Sequence, residues 1–280
     1  MQLPTPTSTT RPRPYPIALA CSSMLGLALL AAPQVARATV ADNLKSFEGQ
    51  EPPKVKYIVA DDKVVPNPDY AQNITDVGNH TVRMFLHYKP DVGWDGDQST
   101  DRKDRQRAEI KGLGPHQKPG DEFEYQTTWR TDPHFIGGDR FCHVFQLKAT
   151  NGSDGPPLVT LSILPGTSDA CVHYWSGDAK GFTMARKFHW KPGVWQTIKI
   201  RIRVSEQKDG LVEASVNGDP FQGVTGVSVY RPDATDYRPK WGLYRGVTKD
   251  MPFGDDWVEH KDVSAKKLET NSPTTNPSGS

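Results

Sequence analysis

The 280-residue sequence carries 34 basic and 33 acidic side chains, a net charge of +1, and 35% hydrophobic residues. So even a balance excludes the broad electrostatic attraction on which nucleic-acid and anionic-membrane binders rely. Beyond the first forty residues no stretch is apolar enough to span a bilayer.

The chain opens with Arg11 and Arg13, an apolar run from Ile17 to Ala32, and the small-residue sequence Val35-Ala36-Arg37-Ala38. This order predicts a secretory signal peptide over residues 1–38, cleaved after Ala38, and hence an extracellular or periplasmic protein. Cleavage would remove Arg11, Arg13 and Arg37 and no acid, leaving 31 basic against 33 acidic residues, a net charge of −2. Cys21 leaves with the leader, so Cys142 and Cys171 remain. In an oxidising compartment an even pair predicts one disulfide, with two buried thiols as the alternative.

Between residues 39 and 267 there is no long run of period 3.6. Short β-rich runs alternate with Gly, Pro, Asn and Asp clusters instead, which predicts one all-β domain of sandwich or barrel type, followed by a disordered tail over 268–280. Asn73, Asn79 and Asn151 stand in glycosylation sequons, relevant only in a eukaryotic secretory pathway.

Three predicted strands could carry chemistry. In RAEIKG, alternation puts Arg107, Glu109 and Lys111 on one face: a solvated surface, or a binding row for an anionic sugar. In FCHVFQLKAT, Cys142, Val144, Gln146 and Lys148 fall on one side, and His143 on the other among aromatic neighbours, where it reads as a packing residue. In YRPKWGLYRG, Lys240, Gly242 and Tyr244 share a face opposite Trp241 and Leu243. Lys240 and Tyr244 are then separated by roughly 13 Å with no side chain between them.

Between the last two strands lies the clearest hairpin, Val194 to Val204 followed by LVEASVNGDPF. Ile198, Ile200, Ile202 and Val204 point one way, Lys199, Arg201 and Arg203 the other, and Asn217-Gly218 supplies the positive φ angles of a tight turn. This Trp-led hairpin recurs across concanavalin-like sandwiches, lectins and glycosidases included, so it speaks to fold and not to chemistry.

RAEIKG, FQLK and KWGLY in that order resemble the jelly-roll polysaccharide lyases, most closely the heparin lyase I-like and glucuronan lyase group and more distantly the alginate lyases of that fold. The resemblance covers about 81–263. It implies a concanavalin-like β-jelly-roll of two antiparallel sheets, secreted, monomeric and needing no cofactor. The activity it implies is β-elimination on an acidic, uronate-containing polysaccharide. Matched position by position, the motifs become Arg107 and Glu109, Gln146, and Lys240 with Tyr244; Tyr244, Gln146, Arg107 and Lys240 are the expected catalytic set, and Glu109 together with Lys111, Lys148, Tyr237, Arg245 and His173 are the expected substrate contacts. One departure is plain: the related alginate lyases carry Gln-x-His, and here the third position is Lys148. Tyr244 would then serve both proton transfers, acidified by Lys240 and Arg245 and giving an alkaline optimum, unless His173 or His87 supplies the base.

Asp255 and Asp256 in GDDW could hold a structural Ca²⁺. Two other functions remain. A glycoside hydrolase would need a carboxylate pair such as Glu122 and Glu124, and a lectin-like module would need no catalytic group at all.

Overall fold

In the computed structural model of the chain the described residues are 56–58, 64–65, 74–79, 81–86, 88–89, 93–94, 105–111, 115–135, 137–152, 155–246 and 254–269. The predicted leader, His87, Asn73 and residues 270–280 of the predicted tail lie outside them. Every regular element described is a strand. In chain order they are β1 (Lys56–Ile58), β2 (Val64–Val65), β3 (Ile74–Gly78), β4 (Thr81–Leu86), β5 (Tyr88–Lys89), β6 (Gly93–Trp94), β7 (Arg105–Lys111), β8 (Glu122–Thr131) and β9 (Cys142–Ala149). There follow β10 (Val159–Ile163), β11 (Asp169–Ser176), β12 (Gly181–His189), β13 (Gln196–Arg203), β14 (Ser205–Val216), β15 (Gln222–Val229), β16 (Tyr237–Gly246) and β17 (Asp256–Leu268).

Pairing is antiparallel throughout; β5 and β6 pair with each other alone, and the other strands fall into two layers. One runs β2-β1-β7-β16-β9-β10-β11-β12, the other β15-β14-β13-β8-β17-β4-β3, and among the described residues the Ser176 to Val229 pair alone joins β11 to β15 across the seam. This is the predicted jelly-roll sandwich. The core between the layers is aromatic at its centre: the Tyr125 ring from β8 lies 5.3 Å from Phe145 of β9 and 6.4 Å from Trp241 of β16. Each strand alternates as its residues dictate. Ile198, Ile200 and Ile202 are buried, while Arg201 and Arg203 reach outward to Glu124 and Glu122. The turn after β14 has Asn217 at φ 53° and Gly218 at φ 86°, as Asn-Gly predicts.

The predicted disulfide does not form; Cys142 and Cys171 are both buried free thiols. Strand geometry explains why. Cys142 is on β9 and Cys171 on β11, with β10 paired between them. Strands two places apart in a sheet are separated by roughly 9.5 Å, beyond the Cα spacing that a disulfide tolerates.

Candidate active site

The outer face of the first layer carries an open cleft of about 850 Å³. Alternation along β7 and β16 behaves as expected. Tyr244 faces Arg107 across the strands, Gly242 faces Glu109, and Lys240 pairs with Gln146 of β9 on the other side. Arg107, Gln146, Lys148, His173, Lys240 and Tyr244 all line the cleft. The structure therefore brings together the four predicted catalytic residues and two of the predicted substrate contacts.

Under the cleft sits Glu109, 1% exposed. Its carboxylate accepts a hydrogen bond from Gln146 Nε2 and another from Lys240 Nζ at 2.7 Å, and Arg107 Nη1 lies 3.9 Å away. Burial alone would raise the pKa of this carboxyl, but the cations Lys240 and Arg107 overcome that and hold it below the usual carboxylate range. Glu109 is thus an ionised anchor that fixes three side chains from three strands. Gln146 commits one amide N–H to it and keeps the other for a ligand.

The main departure is His143. On β9 the pairing slips by one residue: Phe145 faces Leu161 of β10, yet His143 faces Ser162, so Val144 has no partner there. Toward β16 the register shifts in the opposite sense, Gly242 and Leu243 spanning the single Val144, so that Trp241 faces Phe145 and Tyr244 faces His143. Such a β-bulge turns every side chain beyond it to the other face. His143, expected on the core side, therefore stands in the cleft beside Tyr244, ring centroids 6.1 Å apart. Its Nδ1 lies 2.8 Å from Ser162 Oγ, whose own hydroxyl donates to Thr160 Oγ1 at 2.9 Å. Because that hydroxyl proton is committed, Ser162 accepts from Nδ1–H, which leaves Nε2 as the bare, basic nitrogen. Burial lowers the pKa of His143 to about 4, so the imidazole is neutral at physiological pH.

Tyr244 receives a hydrogen bond on its phenol oxygen from Arg105 Nη1 at 3.0 Å, and Arg107 lies over its ring at 4.7 Å. Burial raises its pKa above the ordinary 10, and the two arginines only partly offset the rise. The phenol keeps its proton. The cations expected to acidify it are engaged elsewhere: Lys240 with Glu109, and Arg245 in the interior.

Several predicted site residues stand elsewhere. Arg245 is fully buried, donating to Gln106, Gly137 and Asp256. Tyr237 is fully buried too, its hydroxyl taking the Arg231 N–H at 2.9 Å to close a loop. Asp256 is buried as the ion-pair partner of Arg245 and accepts the Gly137 N–H, and Asp255 is exposed beside it. Lys111 shares the Arg107 face but stands outside the cleft lining. His173 lines the cleft from β11, Nδ1 3.4 Å from Cys171 Sγ, but three strands away from Tyr244, roughly 14 Å. Glu122 and Glu124, the hydrolase candidates, are bound by Arg203 and Arg201 on the other layer.

Gly242 holds the Lys240 to Tyr244 spacing for a reason other than an open gap. Its φ is 147°, and a Cβ there would meet the backbone oxygen of Ala108 at 2.2 Å. Gly242→Ala is expected to push β16 off β7, lowering stability by about 1–3 kcal/mol and displacing Tyr244. Thermal melting and turnover would both have to fall; an unchanged melt would mean that the strands part without cost.

Residues 54–263 match the polysaccharide lyase family. The chain belongs to that family. A sequence search of curated proteins finds no match to the lyase. Among solved structures it resembles the alginate lyase A1-II′ of polysaccharide lyase family 7, with a TM-score of 0.60 and 14% identity over 83% of this chain and 100% of that one. It also resembles the endo-β-1,4-glucuronan lyase of the fungus Trichoderma reesei, with a TM-score of 0.52 and 15% identity over 70% and 84% of the two chains. The alginate lyase of Corynebacterium sp. gives a TM-score of 0.50 and 12% identity over 78% and 95%. At these identities the structural likeness speaks to the fold alone.

Proposed function

We propose that the lyase is exported and cleaves a polyuronate, of the glucuronan or alginate kind, by β-elimination, with His143 as base and Tyr244 as acid. The observation that carries this reading is the adjacency of a neutral imidazole and a protonated phenol over the Gln146, Glu109 and Lys240 floor. Elimination needs a base at C5 and an acid at the 4-linked oxygen. It also needs donors for the carboxylate on which charge builds up.

His143 Nε2 takes the C5 proton, and the electrons of that bond form the C4–C5 double bond. The C4–O bond breaks as Tyr244 passes its proton to the departing oxygen, and the resulting phenolate is held by Arg105 until it regains a proton from solvent, while the His143 imidazolium releases the C5 proton to solvent and both groups return to their starting forms. The free amide N–H of Gln146 and the guanidinium of Arg107 face the carboxylate. Around it the cleft is lined by Arg105, Arg107, Arg140 and Lys148, while the buried Glu109 charge is already matched by Lys240. This environment favours an anionic polymer over a neutral glucan.

The test is the ultraviolet absorbance of the unsaturated product during incubation with glucuronan, alginate, heparin and a neutral β-glucan. Absorbance should rise with a uronate polymer and stay flat with the glucan, and Tyr244→Phe should abolish the rise while polymer binding persists. New reducing ends without absorbance would mean hydrolysis and overturn the reading.

A further inference from the structure

We infer that the outer face of the second layer, on the far side of the sandwich from the cleft, binds acidic polysaccharide through Arg83, Arg130 and Lys261 and so holds the lyase on its polymer. The choice of polymer rests on the reading of the cleft as a polyuronate site; the architecture of the surface does not.

Alternation on β4, β8 and β17 sends Val82, Met84, Trp129 and Val258 into the core and turns Arg83, Arg130, Trp257, Glu259 and Lys261 the other way. Glu259 stands in register between Arg83 of β4 and Arg130 of β8. Its Oε1 accepts from Arg83 Nε at 2.9 Å and Nη2 at 2.6 Å, and its Oε2 accepts from Arg130 Nε at 2.6 Å. The carboxylate is 1% exposed, whereas the side chains of Arg83 and Arg130 are 33% and 34% exposed. The acid is the floor and the cations are the surface.

Two indoles hold these cations from the side. Arg83 lies over Trp257 at 4.3 Å, and Arg130 lies over Trp257 at 5.8 Å and over Trp195, just ahead of β13, at 4.5 Å. Lys261 Nζ lies over Trp195 at 4.5 Å, and among the described residues no carboxylate pairs with it. A guanidinium has five N–H donors. Glu259 takes one from Arg130 and two from Arg83, so most of the donors on both remain for a ligand outside.

Exposed ion pairs and cation–π contacts stabilise a fold only slightly, and burying a carboxylate works against it. What the arrangement does achieve is to immobilise two arginines on an accessible face with donors to spare. Cations fixed in this way lose little entropy on meeting a carboxylate, which an arginine fork takes bidentately. Three cations stand there on one neutralised acid, and a polyuronate presents a carboxylate on every sugar. A short oligomer in the cleft cannot reach this face. A long polymer can engage both, and its hold on the outer face raises the concentration of cleavable chain at the cleft.

The experiment compares wild type, Lys261→Glu, Lys261→Arg and Trp195→Ala. Retardation is measured in native gels cast with alginate, glucuronan or a neutral β-glucan, in a Tyr244→Phe background so that the polymer stays intact. Steady-state kinetics are measured on short uronate oligomers and on the long polymers. Lys261→Glu and Trp195→Ala should each weaken retention by polyuronate about fivefold, the upper end for one exposed charge contact, and raise KM on the long polymer alike. Kinetics on the short oligomers should not change. Retention should fall with added salt, Lys261→Arg should keep it, and the β-glucan should retain neither wild type nor variants. Should Trp195→Ala fail to fold, Lys261→Glu carries the same expectation from a surface cation.

Retention unmoved in the variants, with unsaturated product formed by the wild type, overturns the outer site and spares the lyase reading. Retention weakened by the variants, without product from the wild type, supports the outer site and overturns the chemistry. Equal retardation by double-stranded DNA, weakened by the same variants, would make the face a general polyanion surface and overturn its assignment to polysaccharide. Neither retention nor turnover overturns both readings.

Discussion

His143→Ala should lower kcat on a polyuronate by about two to four orders of magnitude while leaving polymer affinity nearly intact. The imidazole is the one neutral base adjacent to Tyr244 among the described residues, and its Nδ1 proton is held by Ser162 so that Nε2 is presented bare. The sign of the pH dependence follows from its lowered pKa. The base form is required, and with a pKa of about 4 it persists as pH falls until that value is approached. Tyr244 must stay protonated, and its raised pKa keeps it so beyond 10. The wild type should therefore show a broad plateau from about pH 5 to about pH 9, in place of the alkaline optimum that a tyrosine base would give. Steady-state rates across that range, with the variant's affinity measured separately, check both statements. A variant within tenfold of wild type, or a rate that climbs steadily to alkaline pH, would return the base role to the phenol.

Asp256→Ala should destabilise the fold by about 3–5 kcal/mol, because it strands the guanidinium of Arg245 in an interior where both side chains are fully buried. For a domain of this size that corresponds to a fall in Tm on the order of 10 °C, read by circular dichroism. The partner test separates a lost ion pair from a lost shape. Arg245→Met combined with Asp256→Leu removes both charges and should recover most of the Tm that the single change loses. If Asp256→Ala melts with the wild type, the pair is not holding the β16 to β17 corner together.

The sequence made the fold legible because period-2 alternation survives intact on β7, β13 and β16, where Ile198, Ile200 and Ile202 face in and Arg107 and Glu109 face the cleft. Spacing was enough to place Gln146, Lys240 and Tyr244 together. It failed at His143, since an extra residue at Val144 reverses the parity of everything before it, and nothing in FCHVF marks a bulge. Arg105 was within reach: extending the Arg107, Glu109 row two residues upstream puts it on the same face, beside the phenol it now binds. Arg245 and Asp256 misled for another reason. Charged residues are rarely fully buried, so each reads as surface until the partner that lies 11 residues away is seen. Tyr237 is a related case, its hydroxyl serving a backbone N–H that no side-chain pattern reveals.

The unpartnered Val144 also makes the position of the base separable from its identity. Adding one residue beside it, with the bulge retained, would carry the imidazole from the cleft into the interior and set the added side chain in its place, with every chemically reactive side chain still encoded. Removing Val144 would instead restore strict alternation in β9 with the imidazole still in the cleft, two positions from Gln146. A strand built this way lets a single-codon insertion exchange which residue meets the sugar, while Gln146 and the phenol on the neighbouring strand keep their places. Within this architecture the proton acceptor is free to migrate along the chain over evolutionary time, and the proton donor is not.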